Sequence, residues 1–304
     1  MRNAFIKALE EEATKNKNIY FLTGDLGYSV IENFVKKFPN QFLNVGIAEQ
    51  NMTGIAAGLA STGKIVFTYS IGNFSTLRCL EQIRNDVCYH NLDVKVVAVG
   101  GGFQYGALAS THHATEDLAV MRALPNMTVV APGDKTEAEL ATKAVIKHKG
   151  PCYLRLSTEQ AAVYQKPPEF ELGKAIRVKG GKDLTLISTG SMLKTAVDVA
   201  DILGKKGVSA EVISMHTLKP LDEETVLKSA ANTGKIFTLE EHTIMGGLGS
   251  AVAEVLAQSA NKKYLFKIIG VHDTFAQKIG SRDFLRKLHG LAPDDIAETI
   301  KRLV

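Results

Sequence analysis

Tryptophan is absent from the 304 residues, and only 3 cysteines occur. Cys79, Cys88 and Cys152 make no C-x-x-C pair and no disulfide framework, which suits a reducing cytoplasm rather than an extracellular scaffold. No apolar run approaches the ~18 residues that a membrane-spanning helix needs, and no repeat or low-complexity tract interrupts the chain. Charge of one sign is scarce too. The formal net charge is +4 and scattered, so there is no basic footprint for nucleic acid. The opening residues, Met1 to Ile6, lead into a charged helix and lack the apolar core of a signal peptide. What is there is an ordinary globular composition, 45% hydrophobic and 22% charged, on a chain long enough for about two domains at roughly 150 residues each.

Short apolar stretches alternate with helical ones. Strands are expected at 19–23, 42–45, 64–69, 94–99, 127–130 and 152–156, with helices near 3–15, 30–38, 46–60, 74–90, 115–123 and 134–148. Such alternation predicts a doubly wound, largely parallel sheet. Residues 159–182 change character, with Pro167-Pro168, Gly173 and Gly180-Gly181, and read as a linker. Further strands follow at 184–188, 210–213, 235–239 and 266–270. The expected fold class is therefore α/β, with two such domains, 1–160 and 183–304, joined by a linker at 161–182. The Gly24-Asp25-Leu26-Gly27 turn ends a strand, where open α/β sheets place ligands.

The segment Gly46-Ile47-Ala48-Glu49-Gln50-Asn51-Met52 opens a helix in which Met52, Ile55, Ala56 and Leu59 recur at helical spacing. Glu49 falls in the first turn, where the helix dipole favours a carboxylate. On spacing alone it is an acid at the start of a well-packed helix. Gly54 and Gly58 share one face. Each costs roughly 1 kcal/mol against alanine inside a helix, which suggests that something packs closely there.

The wording of that segment resembles the pyrimidine-binding domain of transketolases and deoxyxylulose-phosphate synthases, and the resemblance runs from about Asp25 through Phe275. It implies that Glu49 hydrogen-bonds the aminopyrimidine ring of thiamine diphosphate and promotes the imino tautomer. It also places Asp25 and Leu26 beside the thiazolium. From spacing alone, Asp25 is simply a turn acid. Phe74, otherwise a core residue, would stack on the aminopyrimidine. Ile71 stands where the family has a second aromatic, for which Tyr69 or Phe67 could compensate. Arg78, Glu81, Gln82, Ile83 and Arg84 match an Arg-x-x-x-Gln-Ile-Arg helix read as subunit interface rather than chemistry. Of the loop pair His112-His113, His112 corresponds to a histidine that contacts substrate hydroxyls, while Glu116 and Asp117 would hold the loop. Adjacent residues on an extended chain point apart, so no shared metal is expected there.

Three departures bear on the acceptor. Leu108 replaces a hydroxyl-reading Asp, Gly101 lies in a glycine run that replaces a phosphate-binding His, and Thr158 replaces a phosphate-binding Arg. Arg155 is near but expected on another strand face. Fewer cations predict an acceptor without a terminal phosphate monoester. The family's Gly-Asp-Gly anchor for Mg²⁺ and diphosphate is missing. The expectation is thus one subunit of a split transketolase-like enzyme. A separate N-terminal subunit would carry Mg²⁺, and two copies of this chain would pair within a cytoplasmic heterotetramer acting on small sugars. Rival readings are a decarboxylating enzyme of the deoxyxylulose-phosphate-synthase or 2-oxoacid-dehydrogenase-β type, and a non-catalytic scaffold.

Overall fold

The computed structural model describes residues 1–158, 162–259 and 263–304. Two mostly parallel sheets form its frame. The strands are β1 Ile19–Thr23, β2 Phe42–Asn44, β3 Ile65–Ile71, β4 Val94–Val99, β5 Thr128–Val130, β6 Cys152–Leu156, β7 Ile176–Lys179, β8 Leu184–Ser188, β9 Ala210–Ser214, β10 Thr217–Lys219, β11 Lys235–Thr243 and β12 Leu265–Val271. The larger sheet has the order β10-β5-β6-β4-β3-β1-β2, and the smaller β12-β11-β8-β9-β7. Only β10 and β7 run antiparallel to their neighbours. β4 and β6 are buried along their whole length, which is why they read as apolar runs interrupted only by Lys95 and Arg155.

Helix Arg2–Lys15 packs Phe5 onto Phe21, Phe67 and Tyr69, on one face of the larger sheet. Tyr69 and Phe67 are thus spent in this core and leave Ile71 uncompensated. On the opposite face, helix Glu49–Ser61 buries Met52, Thr53, Ala56, Ala57 and Ala60. That core runs on into Ile187, Met215, Leu218 and Leu248, so the two sheets share packing.

Three findings depart from the sequence expectations. β7 lies within the stretch read as linker, and the boundary at 160/161 falls outside the described residues. The segment expected as one helix over 74–90 is a chain of short pieces, Gly72–Ser75, Leu77–Cys79, Leu80–Gln82 and Ile83–Cys88, the last with π-type bonding. Beyond their own helix, Gly54 and Gly58 have no atom of the described residues within 4 Å of where a Cβ would sit, so none of these presses on that face. The buried face of the helix is the one bearing Met52, Ala56 and Ala60, turned away from both glycines. Among the described residues, no helix is long and apolar enough to cross a membrane.

Candidate active site

The larger sheet gathers its functional candidates at the carboxyl ends of β1 to β4. Glu49 opens its helix just after β2 and is only 2% exposed. Gly24, at the end of β1, leaves room for it: a Cβ there would lie 3.5 Å from Glu49 Cγ. Ser70 Oγ donates to Glu49 Oε1 at 3.2 Å, and Arg78 Nη1 lies 2.6 Å from Oε2. The carboxylate is therefore buried, near a helix N-terminus, and paired with a side chain that stays 43% exposed.

Phe74 follows β3 in the short helix Gly72–Ser75. The Arg78 guanidinium stands over its ring, 4.3 Å from the centroid. His112 meets the same ring edge-on at 5.1 Å, and its Nδ1 lies 3.0 Å from Thr111 Oγ1. Arg78, the residue read from sequence as interface, thus links Glu49 to Phe74, and His112 joins them through the Phe74 ring. His113 turns the other way. It is buried, packs edge-on to Phe103 at 5.2 Å, and burial lowers its pKa. Although His112 ends a 3₁₀ turn rather than a strand, the two rings still diverge.

Asp25 adopts a left-handed backbone (φ 57°) and exchanges two hydrogen bonds with Asn44, each 3.0 Å. Leu26 beside it is half-buried, and Ile71 caps the Phe74 helix. Gly101 is not open to a substrate. It is buried against Arg155, whose Nε would lie 2.4 Å from a Cβ at that position. Gly102 (φ 67°) is crowded in the same way by Glu241. Leu108 is half-exposed on the rim.

Behind the rim lies a saturated ionic hub. Arg155 binds both oxygens of Asp117 at 2.7 and 2.9 Å, and Tyr153 Oη donates to Asp117 at 2.5 Å. Arg155 is therefore committed to the scaffold. Glu241 accepts from Phe103 N at 2.9 Å, from Arg286 at 2.6 Å and from Arg282 at 2.6 Å. Burial alone would raise its pKa, but the two guanidiniums hold it far below the usual carboxylate range. Arg282 also reaches Gln104 Oε1 and Ser157 Oγ, tying the smaller sheet's unit to the loops after β4 and β6.

A second feature escaped the sequence. A cavity of ≈ 310 Å³ is lined by Arg2, Ser29, Lys135 and Thr158, among others. Burial pushes the Tyr69 phenol up while the nearby Arg2 guanidinium opposes that, which places Arg2 at the edge of the sheet. Helix Arg2–Lys15 precedes β1 and runs back along it, so its first residues meet the strands' carboxyl ends. Only that chain reversal brings Arg2 to Thr158; no local spacing announces it.

Residues 1–162 match the family described as transketolase, pyrimidine binding domain, and residues 173–296 match transketolase, C-terminal domain. The 6-deoxy-6-sulfo-D-fructose transketolase subunit SqwH of a Clostridium species is 38% identical, over 97% of this chain and 92% of its own. An apulose-4-phosphate transketolase subunit of Phocaeicola vulgatus is 37% identical, over 100% and 97%. A solved "split gene transketolase, inactive beta4 tetramer" superposes with a TM-score of 0.91 at 39% identity, covering 99% of this chain and 97% of its own. The chain belongs to the transketolase family and is, over nearly its whole length, the counterpart of the split-enzyme subunits that carry the pyrimidine-binding and C-terminal domains.

Proposed function

We propose that this chain supplies the pyrimidine side of a thiamine diphosphate site shared with a separate diphosphate-binding subunit. The observation that carries this reading is the buried carboxylate of Glu49, joined to the Phe74 ring by the Arg78 guanidinium, at the mouth of a parallel sheet. These residues suit an aminopyrimidine: an aromatic face to stack on and a desolvated carboxylate to share a proton with a ring nitrogen. Mg²⁺ is not suited in the same way. The Gly-Asp-Gly anchor that the family uses for Mg²⁺ and diphosphate is missing from the sequence, so the ion and the diphosphate are assigned to the partner.

When bound, thiamine diphosphate supplies the carbanion chemistry that carries a two-carbon ketol unit from a ketose to an aldehyde. Glu49 holds the proton at the pyrimidine nitrogen, Phe74 fixes the ring plane, and Asp25 with Leu26 borders the thiazolium side. His112, half-buried on the rim, donates to or accepts from sugar hydroxyls, since an imidazole carries both a donor and an acceptor nitrogen. Leu108 makes the rim apolar. Gly101 keeps the loop backbone close to Arg155 rather than touching substrate.

The cavity at Thr158 supports an alternative to the expected acceptor without a terminal anion. Arg2 and Lys135 furnish the cations that Thr158 and the glycine run do not, and Ser29 adds a hydroxyl donor. The substrate assigned here is a non-standard sugar ending in phosphate or sulfonate, in keeping with the substrates that name the two relatives. The tetramer of β subunits named for the solved relative supports self-association of this subunit; its pairing with the separate subunit in a heterotetramer is part of the same proposal.

Reconstitution with a diphosphate-domain subunit, Mg²⁺ and cofactor tests the reading. The chain alone should turn nothing over; robust ketol transfer without a partner would refute the split site. With the pair, hydroxypyruvate or a ketose should serve as donor, and pyruvate decarboxylation in their place would favour the rival. Arg2→Ala should raise KM for an acceptor with a terminal anion and leave KM for glycolaldehyde unchanged.

A further inference from the structure

We infer that Arg78 is a built-in occupant of the aminopyrimidine slot, holding it in the lone subunit and leaving when the cofactor binds. The inference rests on the reading of Glu49 and Phe74 given above. An aminopyrimidine placed by those residues makes two defining contacts: a flat face against Phe74 and a hydrogen bond to the Glu49 carboxylate. The Arg78 guanidinium makes both at once, stacked 4.3 Å from the Phe74 centroid and 2.6 Å from Glu49 Oε2. It is also the right kind of group. A guanidinium is planar, stacks on aromatic faces and donates in-plane to carboxylates, so it reproduces a flat, amino-bearing heterocycle.

Two further features fit an occupant rather than a fixture. First, without Arg78 the buried carboxylate would keep, among the described residues, Ser70 as its side-chain donor. An uncompensated buried charge is strongly destabilising, so a lone subunit gains by filling the slot until the partner arrives. Second, Arg78 is placed where it can leave. Its side chain is 43% exposed, whereas the hub arginines Arg155 and Arg286 are 4% and 10% exposed. It stands in the run of short 3₁₀, α and π pieces between Gly72 and Cys88, a backbone type found where helices hinge. Gln50 Nε2 donates to the Arg78 carbonyl at 3.0 Å, which ties that backbone to the helix that Glu49 opens. Swinging Arg78 out thus leaves its main chain anchored and frees only the side chain.

A slot held shut in most molecules lowers apparent affinity by the fraction that is open. The test uses the full chain without a partner, and the probe is the free aminopyrimidine half, 4-amino-5-hydroxymethyl-2-methylpyrimidine, titrated calorimetrically. Arg78→Gln should bind it about 10-fold tighter than wild type or better. Arg78→Lys, which keeps the charge but has no plane to stack, should fall between them. Arginine side-chain resonances of labelled wild-type protein should lose the Arg78 signal position as the probe is added. Binding in Arg78→Gln that is no tighter than wild type, or undetectable in a variant with the wild-type melting profile, overturns the inference. If Arg78→Gln does not fold, wild-type affinity in Arg78→Lys overturns it equally. Tighter binding that survives Phe74→Ala in the Arg78→Gln background places the probe elsewhere and sinks the site reading itself, a distinct failure.

Discussion

Glu49 and Glu241 are both carboxylates removed from water, 2% and 1% exposed, yet their surroundings differ in kind. Glu241 is saturated from within the chain by Arg282, Arg286, Ser191 and the Phe103 amide. Glu49 has Ser70 and a half-exposed Arg78. A carboxylate whose partners are all buried and fixed serves the scaffold. One whose main partner can reach solvent can exchange it for a ligand. Burial by itself therefore does not mark a functional acid; the removability of its counter-charge does.

The sharpest way to break that comparison is to remove each charge in turn. Glu49→Gln should reduce ketol transfer in the reconstituted pair by about 10²–10⁴-fold, with the melting temperature little changed. A variant that keeps near-normal turnover would place the proton chemistry elsewhere. Glu241→Gln should do the reverse. It removes the carboxylate between Arg282 and Arg286 in the hub, a loss of about 3–5 kcal/mol of the kind seen when one partner of a buried pair is removed. Thermal unfolding of the chain reads this directly, and an unshifted melting curve would show the hub to be dispensable.

The hub region also carries its own pH signature. Burial lowers the His242 pKa to about 4, so its neutral form is favoured in the fold. With an unfolded value near 6.5, that contribution is present above about pH 6.5 and is lost as pH falls towards 4. Glu240 beside it is raised by burial to about 7, against donated bonds from Gly249 and Leu248. Its contribution has the opposite sign, present below about pH 4.5 and lost as pH rises through 7. Denaturant unfolding from pH 7 to 4 of His242→Gln and Glu240→Gln should separate the two slopes; parallel curves would contradict both.

His112 and His113 repeat the contrast on a smaller scale. His112→Ala should lower kcat by about 10²-fold with the fold intact, whereas His113→Ala should cost stability first. The reverse order would mean the loop register is off by one. The smallest effect is expected at Gly54 and Gly58. With open space where each Cβ would go, alanine there should stabilise the lone chain by up to about 1 kcal/mol per site. A destabilised lone chain would mean a close neighbour within the chain after all.

Much of the frame was legible because buried parallel strands announce themselves. β1, β4, β6 and β8 are apolar runs closed by Gly, Asp or Ser, and they formed where expected. β7 was not legible. Ile176-Arg177-Val178-Lys179 is an edge strand wetted on alternate residues and set in a Pro- and Gly-rich stretch. β10 is three residues long and finds its partner only through the tertiary fold. In the site, the run around Glu49 and the Thr-His pair could be read locally. Arg78 lies four residues after Phe74, so their stacking was within reach of helical spacing, but its bond to Glu49 was not, and no local spacing brings Arg2 at a helix start to Thr158. The two glycines misled for a related reason: their helix was right, but which of its faces the chain covers is a property of the whole fold.

β10 carries a consequence for how the protein is made. A ribosome delivers the chain from residue 1 onwards, and everything needed for the larger sheet except Thr217–Lys219 has emerged once β6 is out. Until residue 219 follows, the outer edge of β5 is a bare template that another nascent chain can join. The first unit therefore completes itself only after β7, β8 and β9 have been synthesised, and a message truncated between the two units would encode an adhesive fragment rather than a free-standing domain.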